Sequence, residues 1–173
     1  MEQVKWFERS FDFSNNQNIM PSVIERLAGT PLRLEYKLNS LPPEILNIKY
    51  DGAWSVKENA GHLTDLEPIW QGRLEDILLV KKELREADLL NTKTNNANHN
   101  DVPVDVLINQ FKEIREKTVS MLQQISPEEI FRAALHPRLK TPMRTIDLFT
   151  FVAEHDDHHL ARITELSKLI ADT

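Results

Sequence analysis

The chain has 173 residues, a formal net charge of −6 and no cysteine. That length suits one domain, residues 1–173, around a single core. An acidic chain with no basic run speaks against a nucleic-acid partner, because affinity for phosphate backbones rests on Lys and Arg. The missing cysteine excludes disulfides, thiolate metal ligands and a cysteine nucleophile.

Residues 1–18 mix charges with aromatics and lack the apolar stretch of a signal peptide. No segment approaches the roughly 20 apolar residues that span a bilayer. The expectation is a soluble cytoplasmic protein with no membrane partner. Four glycines, no G-x-G-x-x-G and no Walker sequence leave no phosphate-cradling loop.

The periodicity is helical almost throughout. A first helical segment begins near Pro21, and Gly29-Thr30-Pro31 is expected to interrupt or kink it, with Thr30 capping and Pro31 restarting. It ends before Leu41-Pro42-Pro43, and residues 44–53 read as a loop. Ser55-x-x-Glu58 forms a capping box for a second helix, and Trp54 stands where a hydrophobic staple begins. This helix is expected to reach about Leu84 with a kink at Pro68. Its apolar stripe is Leu63, Leu66, Trp70, Leu74 and Ile77. Asp88 to Asp101 reads as a polar, asparagine-rich loop. Pro103 opens the third helix, which ends near Ser126-Pro127. A short turn over Pro127–Arg132 and a loop with Pro137 and Pro142 follow. The fourth helix runs from near Thr145 to about Ala171. Four long helices without a strand signal predict an all-α fold, a four-helix bundle with long connecting loops. Such long loops are often functional.

Six histidines are present, three of them in Glu154-His155-Asp156-Asp157-His158-His159. Residues four apart on a helix stand one above the other, close enough to hold one ion. Leu148, Phe151, Val152, His159, Arg162, Ile163 and Leu166 fall within about 80° of His155. Both His155 and His159 therefore leave the face that carries the core, which is costly unless the imidazoles gain partners. His158 lies at the edge of that face and reads as a hydrogen-bonding residue. A third ligand must come from elsewhere, and His62, near the start of the second helix, is the best candidate. Three neutral imidazoles leave coordination positions open for water or substrate. Zinc, nickel, iron and manganese all suit such a set. His99 and His136, taken alone, read as structural. A di-iron bundle is excluded by the absence of Glu-x-x-His. A zincin-like site is disfavoured because Asp156 replaces the longer Glu of H-E-x-x-H.

The residues resemble the DinB-like superfamily of four-helix bundles, in the branch with YfiT-type metal-dependent hydrolases and thiol-dependent S-transferases. The matching pieces are Trp54-Ser55-Val56-Lys57-Glu58-x-x-Gly61-His62-Leu63-x-Asp65, Trp70-x-x-Arg73, Ala97-Asn98-His99-Asn100 and the run from Ala153 to Ile163. Their order fits from about Ser22 to Leu166. The resemblance implies that His62, His155 and His159 are the metal ligands. It also implies a small-molecule substrate, either hydrolysed or joined to a low-molecular-weight thiol such as bacillithiol, mycothiol or glutathione.

A metal-dependent transferase or hydrolase is the leading expectation, with zinc or nickel ahead of iron or manganese. Glu58 and Asp65 are expected either to orient His62 or to act as a base, with helix capping the plainer role for Glu58. Arg162 and Arg73 each have two roles open: binding a substrate carboxylate, or an ion pair, with a second-helix carboxylate the expected partner of Arg162. His99 is a candidate substrate contact. The alternative function is a metal-binding bundle without catalysis, in an accessory or stress-response role. An ion whose open positions face a pocket favours the enzyme; a closed ligand shell excludes it. A homodimer is also expected, with Trp70 or Trp6 at its interface.

Overall fold

The computed structural model describes residues 3–171. Four long helices dominate: α1 (Met20–Asn39), α2 (Val56–Leu78), α4 (Val104–Gln123) and α6 (Thr145–Ala171). Two short helices, α3 (Thr92–Asn96) and α5 (Pro127–Ile130), lie in the connections. α1 packs on α4 and α6, and α2 packs on the same two. Consecutive helices α1 and α2 thus sit diagonally, as do α4 and α6. Short loops join neighbours in a bundle, so diagonal succession explains the long connection over residues 40–55.

The elements differ from expectation at four places. α1 runs unbroken through Gly29-Thr30-Pro31. Pro31 has no N–H for the carbonyl of Leu27, and the Arg115 guanidinium reaches that carbonyl at 3.5 Å. Thr30 does not cap; its hydroxyl donates to the Arg26 carbonyl at 3.0 Å. α2 also continues through Pro68 but stops at Leu78 rather than near Leu84. Val80 takes a left-handed conformation with φ of 56°, which is strained for a β-branched residue. The Asp76 carboxylate holds the turned chain by accepting from Lys81 Nζ and from the backbone N–H and Nε of Arg85.

The polar connection after α2 is not a bare loop. It carries α3 and a 3₁₀ turn, His99–Asp101. Asn91 and Asn98 precede these with φ of 53° and 51°, a region asparagine tolerates better than most residues. Finally, β1 (Ala133–Leu135) and β2 (Pro142–Arg144) form an antiparallel hairpin with Ala134 opposite Met143. Three-residue strands are too short for alternation to show in sequence.

The core divides into two apolar clusters. One gathers Leu27, Trp70, Leu74, Leu122, Phe149 and Val152. The other gathers Leu34, Leu63, Phe111, Leu160 and Ile163. Along each long helix a buried polar residue stands where one cluster gives way to the other: Thr30, Glu67, Arg115 and Asp156. Arg115 binds Glu67 through Nε at 2.8 Å and takes Asp156 with both Nη atoms, at 2.5 and 3.1 Å. Thr118 donates to Glu67 and accepts from Gln71. This layer ties α2, α4 and α6 together beside the histidines of α6. Among the described residues no helix is long and apolar enough to cross a membrane.

Candidate metal centre

His155 and His159 stand one turn apart on α6, and their Nε2 atoms are 3.2 Å from each other. α2 packs beside α6 and delivers His62, so that one ligand atom from each of the three histidines lies within 4.8 Å of the others. All three are buried. Zinc–nitrogen bonds of about 2.0–2.1 Å at a tetrahedral angle separate two ligand nitrogens by about 3.3 Å. The His155–His159 spacing fits a shared ion.

Burial is the largest cause holding all three imidazoles neutral. It pushes His62 down to about 4, partly opposed by Asp65. It drives His155 and His159 well below the ordinary value, and neighbouring imidazoles push in the same direction. Neutral imidazole is the form that ligates a metal.

Hydrogen bonds set two of the tautomers. Asn59 Nδ2 donates to the carbonyls of Trp54 and Ser55 at 3.2 and 2.8 Å. Its Oδ1 is therefore an acceptor, and His159 Nδ1–H donates to it at 2.9 Å. That leaves Nε2 of His159 as an unprotonated lone pair, 3.2 Å from Nε2 of His155. The Thr94 hydroxyl donates to Asp65 Oδ2 at 2.9 Å, so it accepts from His62 Nδ1–H, also at 2.9 Å. The Nε2 lone pair of His62 is free in turn. His99 Nε2 donates to the same Asp65 oxygen at 2.8 Å. Burial opposes the charge on Asp65, but the bonds from His99 and Thr94 outweigh it and hold its pKa below the usual range. Gly61 makes this possible: a Cβ there would lie 2.3 Å from the His99 ring. The Nδ1 of His155 is buried with no hydrogen-bond partner among the described residues.

The three histidines open onto a cavity of about 690 Å³. Three indoles wall it. Trp54 lies 4.6 Å from the His62 ring, with its N–H donated to Asn95. Trp70 meets His155 edge-on at 5.9 Å. Trp6, in the segment before α1, meets His155 edge-on at 4.9 Å and Phe151 at the same distance. Trp6 and Trp70 thus both turn toward the histidines; Trp70 is buried and Trp6 half-buried.

The other residues singled out from sequence divide. Glu58 completes the Ser55 capping box and pairs with Lys49 at 2.7 Å, so its carboxylate does not serve His62. Asp65 acts on His62 through Thr94. His99 supports Asp65 and is not among the residues that line the cavity. Arg162 lines the cavity but pairs with Glu165 on its own helix at 2.6 Å, not with an α2 carboxylate. His158 also lines the cavity; its Nδ1 has no hydrogen-bond partner among the described residues, contrary to the expected role. His136 and Arg73 meet at the cavity wall, 3.1 Å apart. Thr94, Asn59 and Trp6 were not legible as site residues. The one available signal for Asn59 is its position one turn after Ser55 and three residues before His62.

The chain is similar to a Bacillus pumilus protein described as a "Putative metal-dependent hydrolase", 24% identical over 159 residues that cover 84% of this chain and 83% of that protein. Among solved structures it resembles YfiT from Bacillus subtilis, a probable metal-dependent hydrolase with an unusual four-helix bundle topology. The TM-score is 0.82 at 20% identity, over 95% of this chain and 94% of that one. It also resembles the colibactin self-resistance protein ClbS, solved in complex with dsDNA, with a TM-score of 0.67 at 15% identity over 89% of this chain and 98% of that one. These two likenesses establish the fold. The DinB superfamily domain matches residues 26–163, and with the three-histidine cluster inside that span, the chain belongs to the DinB superfamily.

Proposed function

We propose that this protein is a metal-dependent enzyme acting on a small molecule, with His62, His155 and His159 holding a divalent ion, zinc or nickel before iron or manganese. One observation carries the reading: three neutral imidazoles converge at the wall of a cavity of about 690 Å³, the size of a small-molecule site. A closed ligand shell, as an accessory metal site would have, does not need such a cavity. The net charge of −6 supports a small molecule over nucleic acid.

A divalent ion held there supplies a Lewis acid that brings the pKa of water or a thiol toward neutrality. The chain's own residues do the rest. Asn59 and Thr94 turn the lone pairs of His159 and His62 inward. Trp6, Trp54 and Trp70 give the substrate apolar walls and exclude water. The names of the Bacillus relatives support hydrolysis. A second reading, transfer of an exogenous thiol, is favoured by the acid–base inventory. The cluster contains only histidines, and the α2 carboxylates Glu58 and Asp65 are committed elsewhere. Neither serves a water as its base, whereas a thiol with a pKa of about 8.5 needs less help.

The test is a screen of metal-loaded protein with bacillithiol, glutathione and mycothiol, each offered with monochlorobimane, beside a panel of ester and amide substrates. Turnover that disappears in His62→Ala is the expected result. Conjugation selects transfer, and ester or amide cleavage selects hydrolysis. A metal-loaded protein silent in every arm overturns the enzyme reading in favour of an accessory role.

A further inference from the structure

The same cavity has a second polar end, made of Arg73, His136 and Arg138. Trp70 joins the two ends. Its ring touches His155, and the guanidinium carbon of Arg73, one turn further along α2, lies 5.6 Å from its centroid.

Arg73 is only 3% exposed. Its Nε donates to the Arg85 carbonyl at 3.1 Å, and no carboxylate among the described residues lies within ion-pair distance. Asp76, the acid nearest along the helix, is taken by Lys81 and Arg85. Burial first, then Arg138, pushes Arg73 down to about 10, against the pull of Asp76. It is still a cation at neutral pH, but a buried one with no carboxylate in contact among the described residues, which is costly.

His136 makes the imbalance sharper. Its Nδ1 accepts from the backbone N–H groups of Arg138 and Leu139, at 3.2 and 3.1 Å. A neutral imidazole that accepts at Nδ1 carries its proton on Nε2. Burial, then Arg73 and Arg138, holds its pKa down to about 4, so the ring stays neutral. Nε2 is 3.1 Å from Arg73 Nη1. Two N–H donors therefore face each other, and an acceptor is what both lack. Arg138 adds a second guanidinium at the exposed rim, 5.3 Å over the Phe7 ring, also with no carboxylate partner among the described residues. The acids that share the cavity leave this end free: Glu165 is paired with Arg162, Asp88 accepts from the backbone of Leu90 and Thr92, and Glu86 lies exposed at the rim.

We propose that Arg73, His136 and Arg138 form an oxyanion subsite that receives the carboxylate or phosphate of a small molecule, with the apolar body along Trp70 and the reacting group at the histidines. Only the last clause rests on the metal-enzyme reading. The substrate class is then an acidic small molecule with an aromatic or aliphatic body.

The test titrates benzoate, phenyl phosphate and benzyl alcohol into the purified protein, followed by tryptophan fluorescence, before and after dialysis against a chelator. At least one anion is expected to bind about tenfold more tightly than the alcohol, and the tighter anion separates carboxylate from phosphate. Arg73→Met is expected to weaken it about tenfold or more. Should Arg73→Met not fold by circular dichroism, the exposed Arg138→Gln decides, with an expected loss of about threefold. Affinity unchanged in the deciding variant, or no preference over benzyl alcohol, overturns the subsite. Anion binding that depends on Arg73 in a protein that takes up no metal keeps the subsite and overturns the metal reading. Metal uptake with anion binding indifferent to Arg73 does the reverse.

Discussion

The hydroxyl of Thr94 lies 2.9 Å from Nδ1 of His62, and this contact makes α3 part of the candidate centre. Because the same hydroxyl gives its proton to Asp65, it can only accept from the imidazole. Thr94→Val keeps the shape and removes the acceptor. Outer partners of metal-bound histidines typically contribute tenfold or more to affinity. Thr94→Val is therefore expected to weaken zinc binding by about tenfold in competition with a chromogenic chelator, and Thr94→Ser to restore it. Equal affinity in all three proteins would show that the Thr94 bond does not support the ligand.

How much of this was legible beforehand follows from which signals repeat. His155 and His159 declare themselves because spacing by four is a helical signal. His62, on another helix, stood only as the best candidate for a third ligand, and the family resemblance then implied that it is one. Thr94 and Asn59 carry no pattern at all: a hydroxyl and an amide matter only once folding brings them to an imidazole. The Glu67–Arg115–Asp156 layer was masked for another reason. Charged residues at inward positions look like surface residues unless opposite signs are matched across helices that are distant in sequence. The hairpin at Ala133–Leu135 and the left-handed Val80 are too local to disturb a helical period. The four long helices showed clearly because their periodicity persists over twenty residues or more.

Asn59 supports His159 as Thr94 supports His62, but with a cost to folding as well. Its amide satisfies the carbonyls of Trp54 and Ser55 next to the first turn of α2. Asn59→Leu removes the acceptor for His159 and those donors together. The expected outcome is about tenfold weaker metal binding and a stability loss of about 1–3 kcal/mol by denaturant titration. A variant that loses stability but binds metal normally would assign Asn59 to the helix alone.

The histidines also predict how the metal-free protein responds to acid. The folded pKa of His62 is pushed down to about 4, mainly by burial, and His155 and His159 fall well below the ordinary value. The unfolded chain, with values near 6.5, binds more protons throughout that interval. Stability is fully present above about pH 6.5 and is lost as pH falls toward 4. His62 alone contributes on the order of 3 kcal/mol to this loss. Bound metal competes with the same protons, so release on acidification should track the unfolding of the metal-free protein. Melting temperatures recorded at half-unit pH steps, with and without chelator, measure both curves. A flat metal-free profile between pH 7 and 5 would contradict the burial of these rings.

Arg115 carries the prediction about the bundle itself. Its guanidinium, fully buried, neutralises Glu67 on the neighbouring α2 and Asp156 on α6, diagonally across the core. Arg115→Met leaves two buried carboxylates without a cation, and breaking such a network costs about 3–5 kcal/mol. Burial already raises the pKa of Glu67, opposed by Arg115 and Thr118. Without Arg115 that value rises further above its unfolded one. At Glu67 the folded variant then holds a proton that the unfolded chain loses more readily, so the contribution of this one group is greatest at low pH and falls as pH rises, while the histidine contribution is common to variant and wild type. The deficit of Arg115→Met relative to wild type should accordingly be smaller at pH 4.5 than at pH 7.5. Replacing all three charges, with Glu67→Leu, Arg115→Met and Asp156→Leu, removes the unpaired groups and is expected to recover most of the loss, since apolar substitutes for buried networks are often neutral or stabilising. Metal affinity separates stability from placement. If the charged layer sets the height of α6 against α2, the stable triple variant still binds metal more weakly than wild type. If it binds equally well, the layer contributes to folding and the histidines find their positions without it.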